Sequence, residues 1–272
     1  MTNSRTVFSP NTRLQDFFLE VARGNVPGMS HINKFGRNPD CDQAASTTAV
    51  NIGRSIWDGG IAGAVNWLAP TAARTHQIAS SSANDDNDGA GTNAGMQTVR
   101  ISGLDASFAL QTEDVTLNGV GDVATANTYT MIHRMEGLTF GATGYNEGDI
   151  TATADSDSTV TAKITIGMNQ TLMAIYQIPA SKTGYITGYG ASLHKSGGAA
   201  KFADIFLCSM KTGSGWRVRD AYDLASDGGT QFYVPFSPYK VLQGKELVQI
   251  IANPSADAQD ISARFDIILV DD

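Results

Sequence analysis

An acidic run in the first third of the chain is the segment whose residue types and spacing could bind a metal ion. Oxygen-bearing side chains stand at alternate positions and a glycine follows them: Asn84, Asp86, Asp88 and Gly89. This arrangement is typical of the first half of a calcium-binding loop. The bidentate glutamate that would complete such a loop is missing, because Gly95 stands in its place. We therefore expect a solvated acidic loop, with calcium binding as the alternative, and assign no metal site.

The other residues that could carry chemistry are scattered. The histidines are far apart in the sequence, at His31, His76, His133 and His194. No GxSxG nucleophile elbow and no GxxxxGK[ST] phosphate-binding loop occurs. A Ser-His-Asp set is assembled in space, so the sequence alone leaves that alternative open. We predict a protein that is not an enzyme and has no catalytic or cofactor-binding residues.

Aromatic and acidic residues in the last quarter of the chain raise the question of sugar binding. The aromatic residues are Trp216, Tyr222, Phe232, Tyr233, Phe236 and Tyr239. They could form a sugar-binding face, the core of a β-sandwich or a subunit interface. A glycoside hydrolase would need paired carboxylates in a cleft. The sequence does not say whether Asp204, Asp220 and Asp223 face one another.

Charge and hydropathy argue against nucleic-acid and membrane partners. The net charge is −8, and the lysines and arginines are dispersed rather than clustered as phosphate binding requires. The longest apolar stretch near the start, residues 61–70, is shorter than the roughly 20 residues of a membrane span. The first residues also lack the apolar region of a secretory signal. Cys41 and Cys208 lack metal-ligand spacing, so we expect two buried, reduced thiols.

Residues 1–30 are predicted to form an N-terminal arm with one short helix. Leu14, Phe17, Phe18 and Val21 recur at the spacing of one helix face. The polar residues 9–12 could begin the helix and Gly24 could end it. The apolar face could pack on its own domain or on a neighbouring subunit.

The rest of the chain is predicted to be mainly β, in antiparallel sandwich or jelly-roll-like units joined by long loops. Residues 31–155 would comprise a loop-rich segment up to residue 98, with short strands such as Arg74–Ser80, followed by a first β unit. Residues 156–272 would form a C-terminal β-sandwich. Turn signals recur about every 8–12 residues, which is typical of such folds.

One strand of the predicted sandwich carries apolar residues on both of its faces. It runs from Leu172 to Ile178 and should end at Pro179, which cannot donate to a sheet. A bend follows, and a return strand begins near Gly184. We expect the first strand to be covered on both sides.

Four short motifs together carry a family resemblance. They are NKFGRN (33–38), IWDGG (56–60), VTLNG (115–119) and NQTLMAIY (169–176). In this combination and order they resemble the structural proteins of marine tailed bacteriophages. The resemblance covers about residues 24–190, and the acidic loop at 84–91 departs from it.

The resemblance implies a virion protein of the head-decoration or fibre type, made in the host cytoplasm. It would decorate or stabilise the capsid exterior as an oligomer, expected to be a trimer, in contact with the major capsid protein or other virion proteins. The alternative is a tail or fibre module that binds a host receptor or glycan through the C-terminal β unit. The resemblance assigns no catalytic residue to this chain.

Overall fold

The computed structural model describes residues 14–43, 52–59, 66–87, 93–194, 201–227 and 230–272. The fold is mainly antiparallel β with one short N-terminal helix, as predicted. No helix among these residues is long and apolar enough to cross a membrane. The elements are α1 Leu14–Ala22, β1 Met29–Cys41, β2 Arg54–Ser55, β3 His76–Ser80, β4 Met96–Leu104, β5 Leu110–Thr116, β6 Val123–Ala124, β7 Met131–Phe140, β8 Ile150–Ala154, β9 Val160–Ile164, β10 Ile175–Gln177, β11 Lys182–His194, β12 Phe202–Met210, β13 Trp216–Ala225, β14 Gln231–Leu242, β15 Leu247–Pro254 and β16 Gln259–Asp271.

Strands from both ends of the described chain build one unit, which we call the terminal sandwich. One sheet has the order β1-β16-β11-β14, and the other has the order β10-β15-β12-β13, with β2 paired to β15. Alternation along β16 turns one set of apolar side chains into the core between the sheets: Ala263, Phe265, Ile267 and Leu269. Ser262, Arg264 and Asp266 alternate with these apolar residues in the sequence, a pattern that indicates a strand with one buried face.

The strands β3–β9 form a second unit, the central unit. Its sheets have the orders β6-β3-β8-β9 and β5-β4-β7. A separate apolar core lies within it and includes the buried residues Ile78, Met96, Ile101, Met135 and Ile150. Because the chain enters the terminal sandwich through β1 and β2 and returns to it through β10, the central unit is an insertion.

The prediction of loops with only short strands from residue 31 onward is wrong for β1. This strand is 13 residues long and pairs with β16 from Met29 opposite Val270 to Cys41 opposite Gln259. The strand was missed because its buried positions are not apolar: they include Lys34, Gly36 and Asn38. The short strand predicted near residues 74–80 is confirmed as β3.

The boundaries 1–30, 31–155 and 156–272 stay a prediction. Two strand pairings nevertheless cross them. Strand β8 pairs with β9 across residue 155, and β1 pairs with β16 across most of the chain. Any independently folding piece must keep both partners of such a pair.

The strand before Pro179 is buried on both of its faces, which confirms the expectation from the sequence. Ala174 and Tyr176 lie in the core of the terminal sandwich, whereas Met173 and Ile175 pack in a third cluster with Trp57. The bend that follows links the two sheets, because β10 pairs with β15 and β11 pairs with β16 and β14. The chain therefore crosses the sandwich here instead of forming a hairpin.

Helix α1 lies against β1 of its own chain. Val21 is buried, while Phe18 on the predicted apolar face is 48% exposed. Gly24 follows the helix with a φ of 73°, a left-handed conformation that suits glycine. The predicted start at residues 9–12 lies outside the described residues.

Buried polar side chains lie where the two units meet. Lys34 on β1 is 4% exposed, and its Nζ donates to the backbone oxygen of His133 on β7. Burial, with a smaller contribution from the charge of Arg134, lowers the pKa of Lys34 to about 7. The ring of His133 stacks on Tyr176 with centroids 4.1 Å apart. Burial and the nearby Lys34 charge hold the pKa of His133 well below its usual range.

We predict that Lys34→Met flattens the pH dependence of stability between about pH 7 and the ordinary lysine pKa of 10.5. In that window the unfolded chain binds a proton that the folded chain lacks, so the free energy of unfolding of the wild type rises with pH. The shift corresponds to at most about 5 kcal/mol. Urea unfolding of both proteins at pH 7 and pH 10 measures the difference.

Lys211→Met is the matched control, because it removes an exposed lysine of the terminal sandwich. It should leave the pH dependence of the wild type unchanged. At pH 7 we expect Lys34→Met to be at least as stable as the wild type, since the variant buries no charge. An identical pH dependence in the wild type and Lys34→Met would contradict the burial of the amine.

We also predict that Gly36→Ala destabilises the protein. A Cβ at Gly36 would lie 2.4 Å from both the backbone nitrogen of Ala174 and the backbone oxygen of Ile56. Overpacking of this kind costs about 1–3 kcal/mol, or about 2–4 °C in melting temperature per kcal/mol for a chain of this size. Gly215→Ala is the control, because no atom lies within 4 Å of its added Cβ. Equal melting temperatures for the two variants in thermal unfolding would contradict the close packing.

Candidate functional site

The acidic loop places its candidate calcium ligands in different surroundings. The side-chain amide of Asn84 donates to Glu147 Oε2 at 2.6 Å, and Asp86 is buried and forms a β-bridge with Asn118. Asp88 and Gly89 lie outside the described residues. Within the part of the chain that the structure describes, no group of three or more His, Cys, Asp or Glu side chains could hold a metal ion. Calcium binding at this loop stays untested.

The residue that organises this loop is Asp85, which the sequence did not single out. Its carboxylate is fully buried. Oδ1 accepts hydrogen bonds from the backbone N–H groups of Met96 and Glu147, both at 2.8 Å. Oδ2 accepts from Ser80 Oγ at 2.6 Å and from the backbone N–H of Gly148 at 2.8 Å. Asp85 therefore ties three segments of the central unit together.

The histidines and cysteines form no site among the described residues. The histidines lie in the four strands β1, β3, β7 and β11. Cys41 and Cys208 are both free and buried, as predicted. Burial raises the pKa of each thiol to about 12, so neither is a ready nucleophile.

Two of the three candidate carboxylates do face each other. Asp204 on β12 lies directly opposite Asp223 on β13. Asp220 lies opposite Leu207 and approaches Lys240, with 3.7 Å between Asp220 Oδ2 and the Lys240 Nζ. None of the three aspartates lines the groove described below.

The predicted aromatic set divides among four places. Phe236 is buried in the core of the terminal sandwich. Tyr222 and Phe232 stack on each other between β13 and β14, with centroids 4.2 Å apart. Trp216 and Tyr239 are exposed on these two edge strands. Tyr233 lies on the outer face of the β1-β16-β11-β14 sheet, opposite Gly190, which lines the groove described below.

A groove with a volume of about 380 Å³ crosses that outer face, turned away from the sandwich core. Residues opposite one another in the sheet line it in three rows, and the two outer rows alternate with a middle row of Gly36, Ala263, Ala191 and Phe232. One outer row is Phe35, Arg264 and Gly190, and the other is Arg37, Ser262, Ser192 and Gln231. Because these residues come from four strands distant in sequence, the groove has no sequence motif.

Tyr233 lies directly opposite Gly190, one of the residues that line the groove. A Cβ at Gly188 would lie 2.5 Å from Tyr233 Oη, and one at Gly190 would lie 3.2 Å from Tyr233 Cδ2. The tyrosine ring therefore lies against the positions that these glycines leave empty. Its hydroxyl donates to Asp266 Oδ2 at 3.3 Å, and the Arg264 guanidinium lies 5.1 Å from the ring centroid.

Charges on the outer face are partly paired. Arg37 makes a two-pronged contact with Asp260, with nitrogen–oxygen distances of 2.9 and 2.6 Å. Asp266 is partly buried, which opposes its ionisation, but hydrogen bonds from His31, Asn33 and Tyr233 outweigh burial and lower its pKa. Arg264 is exposed and forms no salt bridge within the described ranges. Arg264 is thus the cation available to an anionic ligand.

Comparison with known proteins gives little guidance. No protein-family model matches this chain, and no curated protein matches it. Among solved structures, it is similar to that of the infectious bursal disease virus Gt strain, with 9% identity, a TM-score of 0.21, and coverage of 93% of this chain and 77% of that chain. A VP2 subviral particle of infectious bursal disease virus gives 12% identity, a TM-score of 0.19, and coverage of 94% and 78%. At such low TM-scores these likenesses assign no role to this chain.

Proposed function

We propose that this chain is a non-enzymatic structural protein of a bacteriophage particle. In this proposal it decorates or stabilises the exterior of the head as an oligomer, a trimer, in contact with the major capsid protein or other virion proteins. The four-motif resemblance to tailed-phage structural proteins supports the class of protein. The observation that supports an oligomer is an exposed apolar surface on two edge strands.

Strands β13 and β14 each lie at the edge of a sheet in the terminal sandwich. They and the start of β12 carry large apolar side chains that are 39–54% exposed: Phe202, Trp216, Val218, Tyr222, Tyr239 and Val241. We call these residues the edge surface. Soluble monomers usually protect edge strands with charges or cover them, and clustered exposed apolar groups mark interaction sites. Association of copies would remove this apolar area from water.

The charges beside the edge surface are arranged to hold the two edge strands together. The side chain of Lys240 on β14 donates to the backbone oxygen of Arg219 on β13 at 2.8 Å, and the Arg219 guanidinium donates to the backbone oxygen of Val241 at 2.8 Å. The edge surface is therefore a fixed platform rather than two separate strands. A fixed platform loses less conformational entropy on association than mobile strands would.

A second candidate function is a tail or fibre module that binds a host receptor or glycan. The groove beside Tyr233 favours it, because the groove offers aromatic, hydroxyl, amide and guanidinium groups on one open face. Pockets of this composition are typical of small-ligand sites.

We predict that Val218→Lys weakens self-association about tenfold, because it replaces an exposed apolar side chain of the edge surface by a charged one. The matched control is Leu110→Lys. Leu110 is 52% exposed on the edge strand β5 of the central unit, and Val218 is 51% exposed. Light scattering coupled to size-exclusion chromatography, over a range of protein concentrations, measures the oligomer. A monomeric wild type, or an equal effect of both variants, would contradict the assignment.

We predict that antibodies against this chain label the head surface of purified virions. The label should be visible by immunogold electron microscopy, and mass spectrometry should detect the chain in the same particles. Label confined to the tail tip would overturn the head assignment and favour the second candidate.

A further inference from the structure

We propose that the groove on the outer face of the β1-β16-β11-β14 sheet binds an anionic saccharide, with Arg264 receiving the anionic group and Tyr233 contacting the sugar ring. The proposal deepens the second candidate function. Its test uses the isolated chain, so its failure would leave the role in the virion particle untouched.

The polar groups of the groove are available to a ligand. Within the described residues, the side chains of Ser192, Ser262 and Gln231 form no hydrogen bond. Two hydroxyls and one amide offer both donors and acceptors, as the hydroxyls of a sugar require. These three side chains stand in one cross-strand row with Arg37, so a ligand that follows the row would meet them in turn.

The cation of the groove, Arg264, lies over the Tyr233 ring and has no acidic partner among the described residues, whereas the neighbouring charges are paired. Arg37 is held by Asp260, and the carboxylate of Asp266 accepts hydrogen bonds from Asn33 at 2.7 Å and from Tyr233 at 3.3 Å. Only Arg264 among these charged groups lacks an oppositely charged partner in the part of the chain that the structure describes. A guanidinium can bind a carboxylate or a sulfate ester through two parallel hydrogen bonds.

The chain as a whole carries a negative charge and would repel an anion. An anionic ligand therefore needs a specific cation on the protein surface. The net charge of the chain is −8. Nonspecific attraction of polyanions is therefore weak, and binding of an anionic saccharide would require a defined contact. The groove supplies one such contact at Arg264.

Aromatic surface lies at both ends of the row that contains Arg264. Tyr233 is 44% exposed, and its ring rests over Gly188 and Gly190, so that the sheet itself supports the ring. Phe35, which lies opposite Arg264 on β1, borders the other end. The apolar CH groups of a sugar ring pack on such aromatic faces, while its hydroxyls reach the polar row.

A saccharide fits this groove better than an extended peptide does. A peptide that joined the sheet would need a free strand edge, but the groove crosses the face of four paired strands. A volume of about 380 Å³ is suited to a few sugar rings. The peptide alternative becomes an outcome of the test.

Isothermal titration calorimetry of the full chain tests the proposal with three trisaccharide-sized probes: trigalacturonic acid, a sulfated galactan oligomer and neutral galactotriose. We expect at least one anionic probe to bind about tenfold or more tightly than the neutral probe, because a charged hydrogen bond contributes about 1.5–3 kcal/mol. Tighter binding of trigalacturonic acid identifies a carboxylate as the group that Arg264 binds. Tighter binding of the sulfated galactan oligomer identifies a sulfate ester as that group. Equal affinity for the neutral probe, or no binding by any probe at millimolar concentration, would overturn the proposal.

Variants locate the binding. Arg264→Gln and Tyr233→Ala should each weaken binding of the anionic probe about tenfold or more. The controls are Arg217→Gln, an exposed arginine outside the groove, and Tyr145→Ala, whose tyrosine is 45% exposed compared with 44% for Tyr233. Circular dichroism confirms that each variant is folded. Equal losses in the controls, or equal binding of a triglutamate peptide, would overturn the assignment of an anionic saccharide to this groove.

Discussion

Pairing between β1 and β16 is the contact on which the terminal sandwich depends. It brings together residues 29–41 and 259–271, and β11 then pairs with the other side of β16. The groove exists because of this order, since its rows of residues run across β1, β16, β11 and β14. Lys34 is likewise carried into the interior by its place on β1. One long-range pairing thus shapes both the outer face of the sheet and the buried contact with the central unit.

Three of the four motifs that resemble phage structural proteins meet where the two units join. Gly36 of the first motif lies against Ile56 of the second and Ala174 of the fourth, and Trp57 forms a β-bridge with Met173. The resemblance therefore rests mainly on residues that lie at the contact between the terminal sandwich and the central unit. Such residues are constrained by close backbone contact and by burial. This placement explains the motifs by packing between the two units rather than by contacts of the outer surfaces.

The sequence predicted strands well wherever one face is apolar and the other polar, as in β16, because alternation reports directly on burial. It failed for β1, whose buried positions hold Lys34, Gly36 and Asn38. At the acidic loop, the sequence pattern singled out the alternating residues Asn84, Asp86 and Asp88 as candidate ligands. The structure shows instead that the neighbouring Asp85 is the buried carboxylate that accepts four hydrogen bonds. The groove could not be predicted, because its side chains meet only through the pairing of distant strands.

The insertion of the central unit between β2 and β10 also sets an order of events during synthesis. All the strands of that unit lie within residues 76–164, so its sheets can form while the C-terminal part of the chain is still being made. The terminal sandwich must wait, because β16, the partner of β1, is synthesised after the whole central unit. During that interval β1 lacks its partner strand, and an unpaired strand is a site for wrong associations. Because the inward positions of β1 include Lys34 and Asn38, the unpaired strand exposes less apolar surface than an apolar strand would. The polar positions that obscured β1 in the sequence therefore also lower its tendency to associate wrongly before β16 is made.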